Sequence, residues 1–287
     1  VFTFAMISCN RKHYIKNSID SVLRFVDIDR IKMVVIDNGS TEEGMDEYLN
    51  SLPDFIEVKK YEDRCPNELH RAMNYGIKVA RRNGSKYINF IQDDYQYIHR
   101  DQDRNMLDSV HAAFEQCKDV VQLQTNMIWK KKFNKIGSVD IVKVGKDKWF
   151  KMLDKSPCDN GFTRVDLYDR IGLYPVGVSI HGKEKGYVSG EAWFAKKTRG
   201  TYRMISAYPN MSMIKNCAYV RGNSRHGDYF PPPKDLYLKP TTDEEIEWIN
   251  VRGRSNSFCF IEDMTKTWGW EPKTADKHSQ SDKVEPV

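Results

Sequence analysis

The sequence predicts an α/β fold, a mostly parallel sheet flanked by helices, with a C-terminal segment wrapped around it. Three observations carry this. Apolar, β-branched runs of strand length recur through the first 126 residues, segments with helical apolar spacing separate them, and the links between are short.

The elements follow in order. Val1–Ser8 is the first strand: nothing basic precedes Val1-Phe2-Thr3-Phe4-Ala5-Met6-Ile7 and no small-residue cleavage site follows, so it reads as a strand rather than a signal peptide. Ile15, Ile19, Val22, Leu23 and Val26 make the apolar stripe of a helix, and Ile31–Asp37 is the second strand. Ser40-Thr41-Glu42-Glu43 offers cap candidates and acidic first-turn residues for a helix running through Leu52. Phe55–Lys59 is the third strand, and Leu69, Met73, Ile77 and Ala80 stripe the next helix. Tyr87–Ile91 is the fourth strand, Arg104–Cys117 a helix with Met106, Val110, Ala113 and Phe114 on one side, and Val120–Thr125 the fifth strand.

After Asn126 the rhythm breaks. Trp129–Lys151 is lysine-rich and reads as a hairpin or flexible excursion, with Val139–Val144 alternating as a strand does. A short helix near Val165–Ile171, a Gly-rich loop through Gly190, a helix over Glu191–Arg199 and a strand over Tyr202–Tyr208 follow. From Phe230-Pro231-Pro232-Pro233 onward the chain is expected to wrap the core. It carries one helix at Thr242–Asn250, where Asp243, Glu244 and Glu245 suit the N-terminal dipole, and ends in a polar, mobile tail at Lys273–Val287.

Composition narrows the function classes. With 287 residues and 40% hydrophobic side chains the chain supports a sizeable core, which excludes disordered and fibrous classes. It has no run of about 18 apolar residues of the kind that spans a bilayer. The six cysteines, Cys9, Cys65, Cys117, Cys158, Cys217 and Cys259, show no CxxC or zinc spacing and read as reduced thiols of a cytosolic protein.

In a parallel sheet ligands bind outside the carboxyl ends of the strands, so chemistry is sought there. Strand one ends Ser8-Cys9-Asn10-Arg11, strand two Asp37-Asn38-Gly39-Ser40, and strand four Gln92-Asp93-Asp94; the helix before strand four carries His70-Arg71-Ala72-Met73-Asn74-Tyr75-Gly76. Adjacent carboxylates at a strand end call for a cation or a hydrogen-bond network, and a hard divalent ion bridging phosphates suits them.

These motifs, Ile7-Ser8-Cys9-Asn10-Arg11, Val34-Val35-Ile36-Asp37-Asn38-Gly39-Ser40-Thr41, Asn74…Gly76…Ala80 and Tyr87-Ile88-Asn89-Phe90-Ile91-Gln92-Asp93-Asp94, in this order over about 90 residues, resemble the nucleotide-binding half of family 2 glycosyltransferases of the GT-A fold. The resemblance covers the first third to half of the chain and is looser beyond Asn126. It implies a nucleoside-diphosphate-sugar donor, a divalent cation (Mn2+ or Mg2+) and inversion at the anomeric carbon. It implies that Ser8, Asn10 and Arg11 lie beside base and ribose, that Asp37 and Asn38 face the base, that Asp93 is near the ribose, and that Asp94 holds the metal. Arg71 and Asn74 join the nucleotide-sugar set. Two positions depart from the family: Cys9 stands where an aromatic often stacks on the base, and Asn38 replaces a second carboxylate.

Transfer with inversion needs a carboxylate to take the acceptor proton. Family members carry an acidic pair before a helix that leads to a Gly-Tyr-Arg-like strand start. Ser189-Gly190-Glu191-Ala192-Trp193-Phe194 followed by Gly200-Thr201-Tyr202-Arg203 fits with one acid, which makes Glu191 the candidate base and Asp159 and Asp166 its reserves. Arg221–Asp228 suits a loop closing over a diphosphate, with Arg225 on the phosphates and His226 completing a metal shell with Asp94, as in several GT-A enzymes; an exposed polar loop is the other reading. Trp268-Gly269-Trp270 reads as core packing or as a platform for acceptor sugars.

Residues 1–126 are thus expected to form the nucleotide-sugar half, 127–229 the acceptor and catalytic half of the same domain, and 230–287 a C-terminal extension. Trp129–Lys151 carries eight lysines and two aspartates, a net +6 against +5 for the whole chain, so the rest is nearly neutral. That segment is either a solvated face or a surface for an anionic acceptor or membrane. The acidic strand ends tell against nucleic acid. The function expected is an inverting, metal-dependent glycosyltransferase acting on a glycan or lipid-linked hydroxyl in surface polysaccharide synthesis, placed in the cytoplasm or peripherally at the inner face of a membrane. Two alternatives stay open. A nucleotidyltransferase would want a glycine-bearing loop after strand one, and Ser8-Cys9-Asn10-Arg11-Lys12 has none. A non-catalytic nucleotide-sugar or glycan-binding module is motivated by the single acid at Glu191.

Overall fold

The structure, a computed structural model, describes residues 1–63, 68–93, 95–98, 106–124, 140–145, 147–153, 161–176, 190–206 and 212–215. The expected wrap from 230 onward and its helix at 242–250 lie outside these.

Four parallel strands form the first half of the sheet: β1 (Phe2–Ser8), β2 (Ile31–Asp37), β3 (Ile56–Lys60) and β4 (Tyr87–Gln92), in the order β3-β2-β1-β4. All seven residues of β1 are buried, which is why its sequence reads as a continuous apolar run rather than an alternating one. Phe2, Phe4 and Met6 face the cluster completed by Ile15, Ile19 and Val22 of α1 (Lys12–Phe25). Ala5 and Ile7 face the cluster completed by Ala72, Met73, Ile77 and Ala80 of α3 (Glu68–Arg82). Between these helices in sequence lies the short α2 (Met45–Asn50). Helix α3 lies so close to the sheet that a Cβ at Gly76 would stand 2.8 Å from that of Ala5 and 3.2 Å from the Phe90 ring. The glycine of the 74–80 motif is therefore a packing requirement.

The sheet continues through β9 (Gly161–Arg164), β6 (Val120–Gln124), β10 (Tyr202–Ser206), β8 (Asp147–Leu153) and β7 (Asp140–Val144), giving nine strands among the described residues. Strand β9 runs antiparallel to both β4 and β6, joining the two halves. Its Phe162 is fully buried and meets Phe2 and Phe4 edge-on, each at 5.7 Å. Arg164 donates from Nε to the Val120 carbonyl at 2.7 Å and from Nη2 to the Phe114 carbonyl, capping the C-terminal end of α4 (Met106–Gln116) with a cation, as the helix dipole favours. A separate antiparallel pair joins β5 (Tyr95–Ile98) to β11 (Ser212–Lys215), and the Tyr97 amide of β5 donates to Ser21 Oγ of α1 at 3.0 Å. Helices α5 (Leu167–Ile171) and α6 (Gly190–Lys197) complete the described elements.

Within the described residues the expected strands and helices are found to within a few residues, with two differences. The segment 40–43 is not the start of a helix: α2 begins at Met45, because Ser40, Thr41 and Glu42 are bonded into the loop after β2. Of the two readings of the lysine-rich segment, the described part takes the first: β7 and β8 form a hairpin, which extends the sheet beyond β10. It buries Val144, Trp149 and Met152 while Lys143 and Lys148 stay exposed. Strands β5 and β9, four residues each, carry too little pattern to be foreseen. No described helix is long and apolar enough to cross a membrane.

Candidate active site

Strand order reverses at β1, whose parallel neighbours are β2 on one side and β4 on the other. Chains leaving β1, β2 and β4 therefore diverge from one crevice, the place where such sheets bind ligands. The three strand ends are stitched together by their backbones: the Asn38 amide donates to the Ser8 carbonyl at 2.9 Å and the Asp93 amide to the Ile7 carbonyl at 3.1 Å.

Asp93 is the electrostatic centre of the described part. Its side chain has no solvent exposure, Arg11 pairs with it through Nη2, and Ser8 Oγ lies 3.3 Å from its second oxygen. The price of placing Arg11 there is conformational. Asn10 and Arg11 both adopt left-handed backbone, φ 59° and 65°, which a side chain without local support disfavours. Asn10 supplies that support: its Oδ1 accepts from the Thr41 amide at 2.7 Å and the Glu42 amide at 3.2 Å, and its own amide donates to Ser40 Oγ at 2.7 Å. Glu42 in turn accepts from the Lys12 amide at 2.7 Å, satisfying the first turn of α1. Asp37 holds the same loop, accepting from the Ser40 amide at 3.1 Å and from its hydroxyl.

The sequence-predicted residues thus divide by task. Ser8, Arg11, Asp37, Asn38 and Asp93 come together at the crevice, with Asn10 knitting the two loops behind them. Asn38 is 2% exposed, and its Oδ1 is buried with no hydrogen-bond partner among the described residues. Arg71 stands over the Tyr61 ring at 3.9 Å and pairs with Asp63 at 3.2 Å; Tyr61 in turn donates its amide to the Asp37 carbonyl at 3.0 Å. Asn74 brackets Tyr174 instead, donating to its carbonyl at 2.8 Å and accepting from its amide at 2.9 Å. Glu191 is placed as the second residue of α6. Asp166 is not brought to the crevice: it follows β9, whose Arg164 pairs with Tyr87 at the opposite end of β4 from Asp93. Asp94, Asp159, Arg225 and His226 lie outside the described residues. Among the described residues no group of three His, Cys, Asp or Glu side chains is placed to hold a metal.

Sequence reasoning missed Tyr61, His70 and Tyr174. Tyr61 directly follows β3, so the strand-end rule applied to that strand would have found it. His70 lies within the quoted helix segment but showed no distinguishing pattern, and nothing in the sequence ties Tyr174 to it.

Residues 3–141 match the family model for glycosyl transferase family 2, which bears out the resemblance read from the motifs. No match is found among curated proteins. The fold is similar to that of S. aureus TarS 1-349, with 14% identity and a TM-score of 0.50 over 99% of this chain and 75% of that one. It is also similar to GalNAc-T7 solved with UDP, GalNAc and Mn2+, with 14% identity and a TM-score of 0.52 over 74% of this chain and 43% of that one. A longer S. aureus TarS chain is covered over 36% of its length, so this chain spans about a third of it. The architecture is the GT-A-like α/β sheet that the sequence predicted.

Proposed function

On the premise that residues 3–141 match glycosyl transferase family 2, we propose that the protein is an inverting glycosyltransferase. It takes a sugar from a nucleoside-diphosphate donor and places it on a hydroxyl of a glycan or lipid-linked acceptor, in surface polysaccharide synthesis. The observation that carries the reading is the crevice itself: the ends of β1, β2 and β4 gather a buried, cation-paired carboxylate at Asp93 and a buried amide oxygen at Asn38 with no hydrogen-bond partner among the described residues.

The donor base lies against the end of β2. Asn38 Oδ1 accepts from a base N–H there, which ends the cost of burying it without a partner, about 1–3 kcal/mol. Asp37 flanks it. Tyr61 with Arg71 stacked upon it supplies the flat wall that Cys9 does not, and Ser8, Asn10 and Arg11 hold the loop beside the ribose. Asn74 supports this half through Tyr174 rather than by touching the nucleotide.

The donor set suits a hard divalent cation, Mn2+ or Mg2+: Asp93 and Asp94 are adjacent in sequence, Arg11 already neutralises Asp93, and Asp94 would hold the ion together with His226. Such an ion, when bound, stabilises the charge on the departing diphosphate. Arg225 adds a second positive charge to the same phosphates. Glu191 takes the acceptor proton as the acceptor oxygen bonds to the anomeric carbon, and the bond from that carbon to the diphosphate breaks with its electron pair leaving on the phosphate oxygen. Asp159 is the reserve base. Residues 1–126 serve the donor and 127–229 the acceptor, with 230–287 as an extension. The lysines of 129–151, of which Lys143 and Lys148 are exposed, draw an anionic acceptor or membrane to a cytoplasmic enzyme.

Nucleoside diphosphate release from a panel of UDP-, GDP- and dTDP-sugars with Mn2+ tests the reading. Wild type releases the diphosphate from at least one donor, and Asp94→Ala abolishes it. Release from none, or release equal in Asp94→Ala, overturns it.

A further inference from the structure

Helix α6 begins at a glycine for a reason outside the helix. A Cβ at Gly190 would fall 1.8 Å from His70 Nε2 and 2.2 Å from both neighbouring ring carbons. The imidazole is enclosed. It is 5% exposed and lies flat against the Tyr174 ring, with centroids 5.6 Å apart and planes 5° from parallel. Tyr174 is itself fixed, its main chain bonded on both sides by Asn74, one turn along α3 from His70. The second face of the arrangement belongs to α6: Tyr174 stacks on Phe194 at 5.9 Å and 11°, and Phe194 stands one turn along from Gly190. One ring from each helix, His70 of α3 and Phe194 of α6, thus lies nearly parallel to Tyr174. The far end of α6 is held independently, since Arg203 donates to Thr198 Oγ1 and lies 5.4 Å over the Phe194 ring.

We propose that His70 and Gly190 form a seat that fixes the first turn of α6 against the nucleotide half, making His70 a positioning residue for the transfer step. The role in transfer rests on the reading of Glu191, the next residue along, as base; the seat itself does not. Contact between a glycine backbone and a buried, stacked ring leaves little slack in the separation of the two helices, because close-packed interiors hold few voids for the ring to move into. A displacement of about 1 Å of a reacting group costs up to about a hundredfold in rate.

Hydrogen exchange by mass spectrometry, followed by the release assay, tests this on the whole chain. Gly190→Ala is expected to raise exchange across 190–197 at least tenfold, leave β1–β4 unchanged, and lower kcat about a hundredfold with the donor KM unaltered. In His70→Ala/Gly190→Ala the new methyl occupies the space of the lost imidazole, so exchange and kcat return toward wild type relative to Gly190→Ala. His70→Gln, slimmer and flexible, replaces His70→Ala should the latter not fold. Unchanged exchange in Gly190→Ala, or a double variant no better than Gly190→Ala, overturns the seat. A KM rise equal to the loss in kcat/KM overturns the positioning role. Absence of release from any donor by wild type overturns the transferase reading and with it the role in transfer, while the exchange pattern decides the seat alone.

Discussion

Replacing Arg11 by alanine isolates what the strand-one loop does for the crevice. The variant strips the cation from a carboxylate with no solvent exposure, which Ser8 Oγ also approaches at 3.3 Å. Removing one member of a fully buried pair costs about 3–5 kcal/mol; Arg11 keeps 17% of its side chain exposed, which brings the expectation to about 2–4 kcal/mol. At this chain size that lowers Tm by roughly 3–7 °C. Two further variants separate the contributions. Arg11→Gly removes the same charge but takes the left-handed backbone freely, so it should be more stable than Arg11→Ala by about 1 kcal/mol. Asp93→Asn leaves a cation that can hydrate and should cost about 1–2 kcal/mol. The double variant Arg11→Ala/Asp93→Asn, with no orphaned charge, should then fall short of the sum of its singles by about 1.5–3 kcal/mol. The assay is thermal and urea unfolding by near-UV circular dichroism. Additivity within about 0.5 kcal/mol refutes the reasoning, since independent sites behave so.

Other outcomes follow from the same geometry. Gly76→Ala should destabilise by about 1–3 kcal/mol through overpacking on Ala5, although alanine is the better helix former by about 1 kcal/mol; a gain in Tm would show that the helix–sheet gap relaxes freely. Phe162→Ala removes a fully buried ring from between Phe2 and Phe4 and should cost about 3–5 kcal/mol in urea unfolding, against under about 1.5 kcal/mol for Phe162→Leu. Burial pushes the Tyr97 and Tyr48 phenols up, so both are protonated in folded and unfolded chains below about pH 10 and their contribution is intact there. Above that only the unfolded chain releases these protons, and stability should fall with rising pH by up to about 1.4 kcal/mol per unit per phenol, read as an absorbance titration at 295 nm that lags in the folded protein.

The donor half was legible because its physics is local. A parallel strand buried on both faces writes a continuous apolar run, as in β1, and helices packed on one side write stripes such as Ile15, Ile19 and Val22. The strand-end rule then located Ser8, Asp37, Asn38 and Asp93 without any knowledge of contacts. What the sequence withheld depends on partners far along the chain. Asn10 is committed to amides 31 and 32 residues away, and Asn74 to a residue 100 away, so neither shows its task by type or spacing. Lysines 143 and 148 left the hairpin and excursion readings both open, because the alternation that buries Val144, Trp149 and Met152 is short and interrupted by charge. The same is true of β9, where four residues cannot announce both a strand and its direction.

That strand governs the order in which the protein assembles. Strands β1 to β4 are contiguous in pairing and complete by Gln92, yet β4 gains its second neighbour only from residues 161–164. As the chain leaves the ribosome, an apolar strand therefore presents a bare edge until some seventy further residues have emerged, a template for wrong pairing during that interval. Closing so long a loop adds an entropic cost to the joining of the two halves, and β9 is the keystone that ends the exposure.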